Sequence, residues 1–269
     1  MKPQTMEEEN LKLKQRVKEL EERIKELEGR PKGKGCSTSG NIYETTVYEV
    51  VKACELGRKP FNTQTPYDLG GSSAGNDIEC NFKGERDIGI EVKRYNTPDW
   101  MQCRLSWDGK WVTSDKGKIP EKCRELFLEL VNGKNPFGGE VPPFFDRKLK
   151  YSEWTEIKKG TSKWNDVYYD IPSDSIRKLY SLKGCQYIQV SGGYGLYHLG
   201  EDVCKFGVPV FEVKQRLRVR IKVHTRKNKQ GYCDLSITAS CQPRGMEELE
   251  PSPYSLDKKD KIPPTLKLK

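Results

Sequence analysis

Histidine is almost absent from this chain, because only His198 and His224 occur among its 269 residues. A metallonuclease or protease site that relies on several histidines is therefore hard to build. The nine cysteines include no Cys-x-x-Cys pair, which argues against a zinc ribbon. An odd cysteine count also fits poorly with a secreted disulfide framework. The sequence therefore predicts reduced, mostly buried thiols in an intracellular protein, with nucleus and cytoplasm not distinguished.

Long apolar segments are missing as well. No run approaches the roughly 20 residues that cross a bilayer, and the first residues are charged rather than signal-like, so no membrane partner is expected. Apolar residues form 34% and charged residues 32% of the chain, so solvated segments must accompany one large core or two modest ones. The net charge of +9 favours a polyanionic partner, of which nucleic acid is the commonest.

A heptad pattern covers the start of the chain. Leucines recur at the d positions, while Asn10, Val17 and Ile24 occupy the a positions. β-Branched residues at a with Leu at d favour a parallel two-stranded coiled coil, and a buried pair of asparagines would fix its register. Residues 1–30 are therefore predicted to form a homodimeric coiled coil, followed by a flexible linker at 31–40. The alternative is one amphipathic helix that lies on its own domain.

The most informative stretch is a predicted hairpin. Residues 77–82 and 87–95 have the pattern of two short strands with a turn between them. Side chains alternate along a strand, so Glu91 and Lys93 share one face, and the partner strand brings Asp77 beside them. Two carboxylates and an ammonium group are thus expected to converge on an otherwise apolar hairpin.

This trio is suited to phosphodiester hydrolysis. Mg²⁺ prefers hard oxygen ligands, and a nearby lysine can orient the attacking water and stabilise charge on the phosphate. The sequence Asn76-Asp77, thirteen intervening residues and then Glu91-Val92-Lys93 resembles the motif of the PD-(D/E)xK nuclease superfamily. It departs from that motif at Asn76, where the family often has Pro. The alternative is an ordinary ion pair on a solvated sheet.

The resemblance implies a restriction-endonuclease-like α/β fold, with a mixed central sheet flanked by helices, over residues 41–242. It also implies a metal-dependent deoxyribonuclease that uses Mg²⁺, which Mn²⁺ can replace, and no small-molecule cofactor. Asp77 and Glu91 would bind the metal, and Lys93 would orient the water.

Two further residues are candidates for the same site. A helix is predicted from about Ile42 to Glu55, and Glu44 lies on its apolar side. The superfamily fold often begins with a helix whose acidic residue completes the metal site, so Glu44 is a candidate ligand. The alternative is an exposed acid in the first helical turn, favoured by the helix dipole. Gln102, on the element after the lysine, is a candidate for binding DNA.

A second predicted strand carries a row of positive charges. Residues 215–223 alternate between basic and apolar side chains, so Leu217, Val219, Ile221 and Val223 should face a core. The basic side chains are Arg216, Arg218, Arg220 and Lys222. No Asp or Glu lies on this strand, which makes a DNA backbone the expected partner and a solvated outer face the alternative. Residues 243–269 are rich in Pro, Lys and Glu and are predicted to form a disordered basic tail.

Together these patterns predict a dimeric, restriction-type endonuclease that makes double-strand breaks in DNA by in-line attack of water. Two alternatives stay open. One is a non-catalytic DNA-binding or architectural dimer in which the trio is structural. The other is an RNA nuclease of the same fold.

Overall fold

The computed structural model describes residues 35–56, 59–60, 62–63, 76–81, 87–97, 99–115 and 119–268. The predicted coiled coil at 1–30 lies outside these residues. The chain divides into two units, Met1–Asn41 and Ile42–Lys269, and the second unit contains both candidate sites.

Four α-helices are present in the described residues. They are α1 (Gly35–Lys52), α2 (Glu121–Asn132), α3 (Tyr151–Lys159) and α4 (Ser175–Lys183). Short 3-10 helices occur at Pro136–Gly139, Met246–Glu248 and Lys259–Lys261. Helix α1 begins before the predicted start at Ile42, so residues 35–40 are helical and the prediction of a flexible linker is wrong there.

Thirteen strands complete the described architecture. They are β1 (Cys54–Leu56), β2 (Lys59–Pro60), β3 (Asn62–Thr63), β4 (Ile78–Asn81), β5 (Asp87–Lys93), β6 (Trp100–Trp107), β7 (Trp111–Thr113), β8 (Val167–Ile171), β9 (Cys185–Val190), β10 (Gly195–His198), β11 (Gln215–Thr225), β12 (Asp234–Pro243) and β13 (Leu266–Leu268). The two predicted strands of the hairpin correspond to β4 and β5, and the predicted basic strand corresponds to β11.

The strands form three sheets. A mixed sheet has the order β10-β9-β5-β4-β3, with β5 antiparallel to β4 and parallel to β9. An antiparallel sheet has the order β7-β6-β12-β11-β8, and a small sheet has the order β13-β1-β2. The parallel pair is reached through a long crossover that ends in α4, because parallel neighbours cannot be joined by a tight turn.

The mixed sheet is covered on both faces. Apolar residues of α1, among them Val47 and Val51, pack on one face against Ile78, Ile90 and Val92. The other face, α2, α4 and the antiparallel sheet share a second core. Burial on both sides is the usual arrangement for a sheet with parallel pairing. The predicted mixed α/β class is confirmed.

The predicted disorder of residues 243–269 is wrong for the described part of that segment. Leu256 and Leu266 are buried beside α1 and the mixed sheet, and β13 pairs with β1. The backbone amide of Leu256 also donates to Gln189 Oε1 at 2.8 Å. Composition hid this packing, because isolated leucines in a Pro- and Lys-rich segment form no periodic pattern.

Cysteine usage agrees with the prediction of reduced thiols. The eight cysteines whose side chains the structure describes are all buried, and none of them forms a disulfide. Among the helices in the described ranges, none combines the length and the apolar character needed to span a membrane.

Candidate active site

The structure brings Asp77, Glu91 and Lys93 together, as the alternating pattern predicts. Lys93 Nζ lies 3.3 Å from Asp77 Oδ2 and forms a second ion pair with Glu91 Oε1. The register of β4 and β5 pairs Ile78 with Ile90, which places Asp77 next to the motif strand. The backbone amide of Val92 donates to Asp77 Oδ2 at 2.8 Å. One carboxylate oxygen of Asp77 therefore joins the backbone of β5 to the ammonium group.

A second lysine, which is not part of the predicted site, completes the cluster. Lys183 Nζ lies 2.7 Å from Glu91 Oε2, and the two side chains are each only 3% exposed. Asp77 and Lys93 are more accessible, at 16% and 19%. Each oxygen of Glu91 thus contacts a different ammonium group, and the exposed edge of the cluster is formed by Asp77 and Lys93.

Helix α4 delivers Lys183 to this position. Its apolar residues Ile176, Leu179 and Tyr180 have helical spacing and are buried. The helix ends at Gly184, whose φ of +110° is a backbone conformation that favours glycine. Gly89 of β5 leaves room for this turn, since a Cβ there would lie 2.5 Å from the carbonyl oxygen of Gly184. The two glycines let the end of α4 approach β5 closely enough for Lys183 to reach Glu91.

Tyr180 lies beneath both lysines. The Nζ atoms of Lys93 and Lys183 are 5.5 Å and 5.7 Å from the centroid of its ring, within the range of a cation–π contact. The Tyr180 hydroxyl accepts a hydrogen bond from the backbone amide of Met101 at 3.2 Å. The ring is thus fixed at one end and supports two buried cations on its face.

Asn76 occupies the position at which the sequence departs from the nuclease motif. Its Oδ1 accepts a hydrogen bond from Cys185 Sγ at 3.0 Å, and its Nδ2 donates to Glu79 Oε1 at 3.3 Å. Cys185 begins β9, so Asn76 links the start of the hairpin to the strand that runs parallel to β5. The asparagine therefore has a structural role of its own in this fold.

The electrostatic environment assigns a charge state to most of the cluster. Burial alone would raise the pKa of Glu91, but Lys93 and Lys183 hold that pKa below its ordinary value. Burial would lower the pKa of Lys93, yet Asp77 and Glu91 raise it well above the usual range. Burial and the neighbouring charge of Glu91 raise the pKa of Asp77. In the metal-free protein at neutral pH, Glu91 is thus ionised and Lys93 is a cation.

Glu44 belongs to the same electrostatic cluster. Burial raises its pKa, and the charge of Asp77 raises that pKa further, while Lys93 lowers it. Its side chain is half-buried on α1. Glu44 is therefore half-buried and within electrostatic range of the predicted trio.

The metal expected from the sequence can be tested against these groups. In the part of the chain that the structure describes, no three His, Cys, Asp or Glu side chains are grouped so as to hold a metal ion. Both oxygens of Glu91 already contact lysines. The donor chemistry nevertheless fits Mg²⁺, since Asp77, Glu91 and Glu44 offer hard oxygen atoms. The pKa values of Asp77 and Glu44 are raised first by burial and then by a neighbouring carboxylate, a repulsion that a bound cation would relieve.

Asp77→Asn is expected to raise the melting temperature of the metal-free protein. The pKa of Asp77 is higher in the folded than in the unfolded state, so its charged form is less favourable when folded. This penalty is absent below the unfolded pKa, grows as the pH rises towards the folded pKa and is complete above it. Melting curves in EDTA should show a gap between variant and wild type that widens with pH across this interval. A difference in melting temperature that is constant with pH, or that has the opposite sign, would contradict the raised pKa of Asp77 in the folded protein.

The basic side chains of β11 form a row, as predicted, but a carboxylate opposes some of their charges. Leu217 and Val219 of β11 are fully buried and Ile221 is partly buried, and the four basic side chains lie on the opposite face. The prediction that Val223 faces the core is wrong, because Val223 is 41% exposed where the register of β11 and β12 shifts. Asp99, just before β6, lies 3.4 Å from Arg218 Nη1 and 2.9 Å from Arg220 Nη2. No Asp or Glu lies on β11 itself, but a carboxylate from outside this strand opposes part of the row. The balancing carboxylate comes from the segment that leads into another strand, which the pattern of β11 alone does not contain.

Gln102 lies on the same surface as the basic row. Lys222 Nζ donates to Gln102 Oε1 at 3.1 Å, and Arg216 stacks 4.3 Å from the centroid of the Tyr168 ring. Burial lowers the pKa of Lys222, and the positive charge of Arg220 lowers it further. The cations around Lys222 therefore keep the local potential positive. This surface is called the basic sheet face below, and it consists of Gln102, Arg216, Arg218, Arg220 and Lys222.

Compared with protein-family models, curated proteins and solved structures, this chain gives no match. Its function has to be inferred from the geometry of the cluster and of the basic sheet face.

Proposed function

We propose that this protein is a metal-dependent phosphodiester hydrolase. The observation that carries the proposal is the meeting of Asp77, Glu91 and Lys93 on one hairpin of a mixed sheet, with Glu44 of the first described helix beside them. A mixed sheet covered by helices, with an acidic residue on an early helix, is also what a PD-(D/E)xK nuclease of restriction-endonuclease-like fold requires. More specifically, the protein is a Mg²⁺-dependent DNA endonuclease of that superfamily.

The carboxylates supply the metal ligands in this proposal. Asp77 and Glu91 would hold Mg²⁺, and Glu44 would join them. When bound, the metal would polarise the scissile phosphate and lower the pKa of a coordinated water. Asp77 is more accessible to solvent than Glu91, at 16% against 3%. Glu91 is buried and ionised, so it is ready to bind a cation without first losing a proton.

Lys93 acts through its charge and its N–H donors. The charges of Asp77 and Glu91 raise the pKa of Lys93, so it is a cation before the metal binds. It orients the attacking water with its N–H groups and stabilises the negative charge that develops on the phosphate. Its ion pairs with Asp77 and Glu91 hold the ammonium group between the two metal ligands.

Cleavage of supercoiled plasmid with Mg²⁺, Mn²⁺ or EDTA tests the proposal directly. Metal-dependent conversion to nicked and linear DNA supports it, and a structured RNA of similar length in a parallel arm tests the RNA nuclease alternative. Wild-type protein that cuts neither substrate with either metal would exclude a nuclease.

The second candidate function is a non-catalytic DNA-binding dimer. The observation in its favour is the closed set of ion pairs around Glu91, since a buried carboxylate with two lysine partners is also a satisfied structural cluster. DNA binding without metal-dependent cleavage would support this candidate.

The basic sheet face is the proposed DNA-binding surface. Lys222→Ala is expected to weaken binding to every duplex alike and to reduce the slope of log K against log salt by about one. Arg218→Ala should change the slope less, because Asp99 and Asp166 already oppose its charge. Fluorescence anisotropy over a salt series measures both slopes, with the exposed Lys159→Ala as control. If Lys222→Ala and the control behave alike, this face does not contact DNA.

The predicted coiled coil sets the proposed mode of cutting. Two catalytic domains tethered by residues 1–30 would raise each other's local concentration to about the millimolar range, so nicks on opposite strands would follow quickly. Removing residues 1–34 should leave nicking intact and slow the conversion of nicked to linear plasmid. Sedimentation of the separate 1–34 peptide and the truncated protein measures dimerisation. A monomeric peptide beside a dimeric truncated protein would contradict the tether.

A further inference from the structure

Lys183 forms an ion pair with an oxygen atom of Glu91 that would otherwise be free to bind a metal. Its Nζ lies 2.7 Å from Glu91 Oε2, while Lys93 contacts Oε1. Lys183 and Glu91 are each 3% exposed, so little water screens the charges in this pair. Both carboxylate oxygens of Glu91 therefore already contact ammonium groups before a divalent cation can bind to them.

The two lysines reach Glu91 from different elements. Lys93 is on the motif strand, and its ammonium group bridges Asp77 and Glu91. Lys183 is the last residue of α4 and reaches Glu91 from the side of the helix. Its flexible four-carbon stem can swing, and the carbonyl groups at the end of a helix attract a cation. Lys183 therefore has a favourable place to go when its contact with Glu91 is broken.

We propose that Lys183 is a built-in competitor for the metal site. In the metal-free protein its ammonium group holds Glu91 Oε2, and a divalent cation gains that oxygen by displacing it. Lys183 thereby keeps the buried carboxylate neutralised before the metal arrives, and it lowers the affinity of the site for the cation. The inference rests on the proposed function, because it assumes that Glu91 is a metal ligand.

Titration of the metal-stripped full-length chain with Mn²⁺, followed by calorimetry or by electron paramagnetic resonance, tests the competition. Lys183→Met is expected to bind Mn²⁺ at least about tenfold more tightly than wild type, because a positive charge next to the ligand oxygen is removed. Lys178→Met is the matched control, since Lys178 is an exposed lysine of the same helix that pairs with Asp174. It should bind like wild type, and Asp77→Asn should lose most of the affinity.

The outcomes separate this inference from the proposed function. If wild type binds Mn²⁺ and Asp77→Asn does not, but Lys183→Met binds equally or more weakly, Lys183 supports the site and the inference is wrong. If neither wild type nor Lys183→Met binds Mn²⁺, the metal site itself is wrong and the inference fails with it.

A second measurement uses only the wild-type chain and so does not depend on how a variant folds. An amine-reactive reagent should label Lys183 slowly without metal, because its side chain is buried in an ion pair. Saturating Mn²⁺ should increase that labelling, while labelling of Lys178 stays constant as an internal reference. Peptide mass spectrometry reads both sites. Labelling of Lys183 that does not change with Mn²⁺ would overturn the displacement.

Discussion

Lys93→Met and Asp77→Asn are each expected to lower the rate of Mg²⁺-dependent plasmid cleavage by about 10²- to 10³-fold or more. Lys93→Met removes the charge that stabilises the developing negative phosphate, an effect of this size for a single preorganised donor. Asp77→Asn removes a metal ligand at the exposed edge of the cluster. Methionine keeps the length and apolar stem that pack over Tyr180, so the fold should be retained.

The controls for these variants separate chemistry from folding and binding. Both variants should melt cooperatively and retain binding to duplex DNA in EDTA, with Lys93→Met close to wild type. Asp77→Asn should bind somewhat more tightly, because a carboxylate no longer repels the phosphate. Glu91→Gln is a poorer test, since breaking a buried pair leaves Lys183 without its partner charge and can cost about 3–5 kcal/mol of stability. Full metal-dependent activity in Lys93→Met would mean that the catalytic site lies elsewhere.

The geometry of the trio was accessible from sequence because its members lie on neighbouring strands of one hairpin. Alternation on β5 places Glu91 and Lys93 on one face, and the antiparallel partner adds Asp77. Strand alternation and hairpin pairing, which depend only on nearby residues, are enough to predict that these three side chains meet. The same rules give the facing of Leu217 and Val219 on β11, which are both buried.

Lys183 could not be found in this way. It lies 92 residues from Glu91 in the chain, and the contact depends on the crossover that returns α4 and β9 to the side of β5. A local signal exists, since a lysine followed by glycine is typical of a helix end, but this signal does not name the partner. Asp99 is similar, because the strand order that places it beside β11 is not encoded in β11 itself. The contacts that balance the charges of Glu91 and of the basic residues on β11 thus come from residues far away in the sequence.

Gly89→Ala is expected to destabilise the protein by about 2–3 kcal/mol, and more than most exposed substitutions. A Cβ at this position would lie 2.5 Å from the carbonyl oxygen of Gly184 and 2.6 Å from Asn76 Nδ2. Neither neighbour can give way cheaply: one is backbone at the end of α4, and the other holds Cys185 at the start of β9. The end of α4 would therefore move away from β5.

Gly200→Ala is the matched control for this substitution, because nothing lies within 4 Å of a Cβ added there and its φ is not in the left-handed region. Urea unfolding should show a lower midpoint for Gly89→Ala and nearly no change for Gly200→Ala. Because β5 also carries Glu91 and Lys93, a shift of this strand should make the folded fraction of Gly89→Ala cut DNA more slowly under saturating metal. Equal stability of the two variants would show that β5 and the turn after α4 are less closely packed than these distances indicate. It would then leave no steric reason for glycine at position 89.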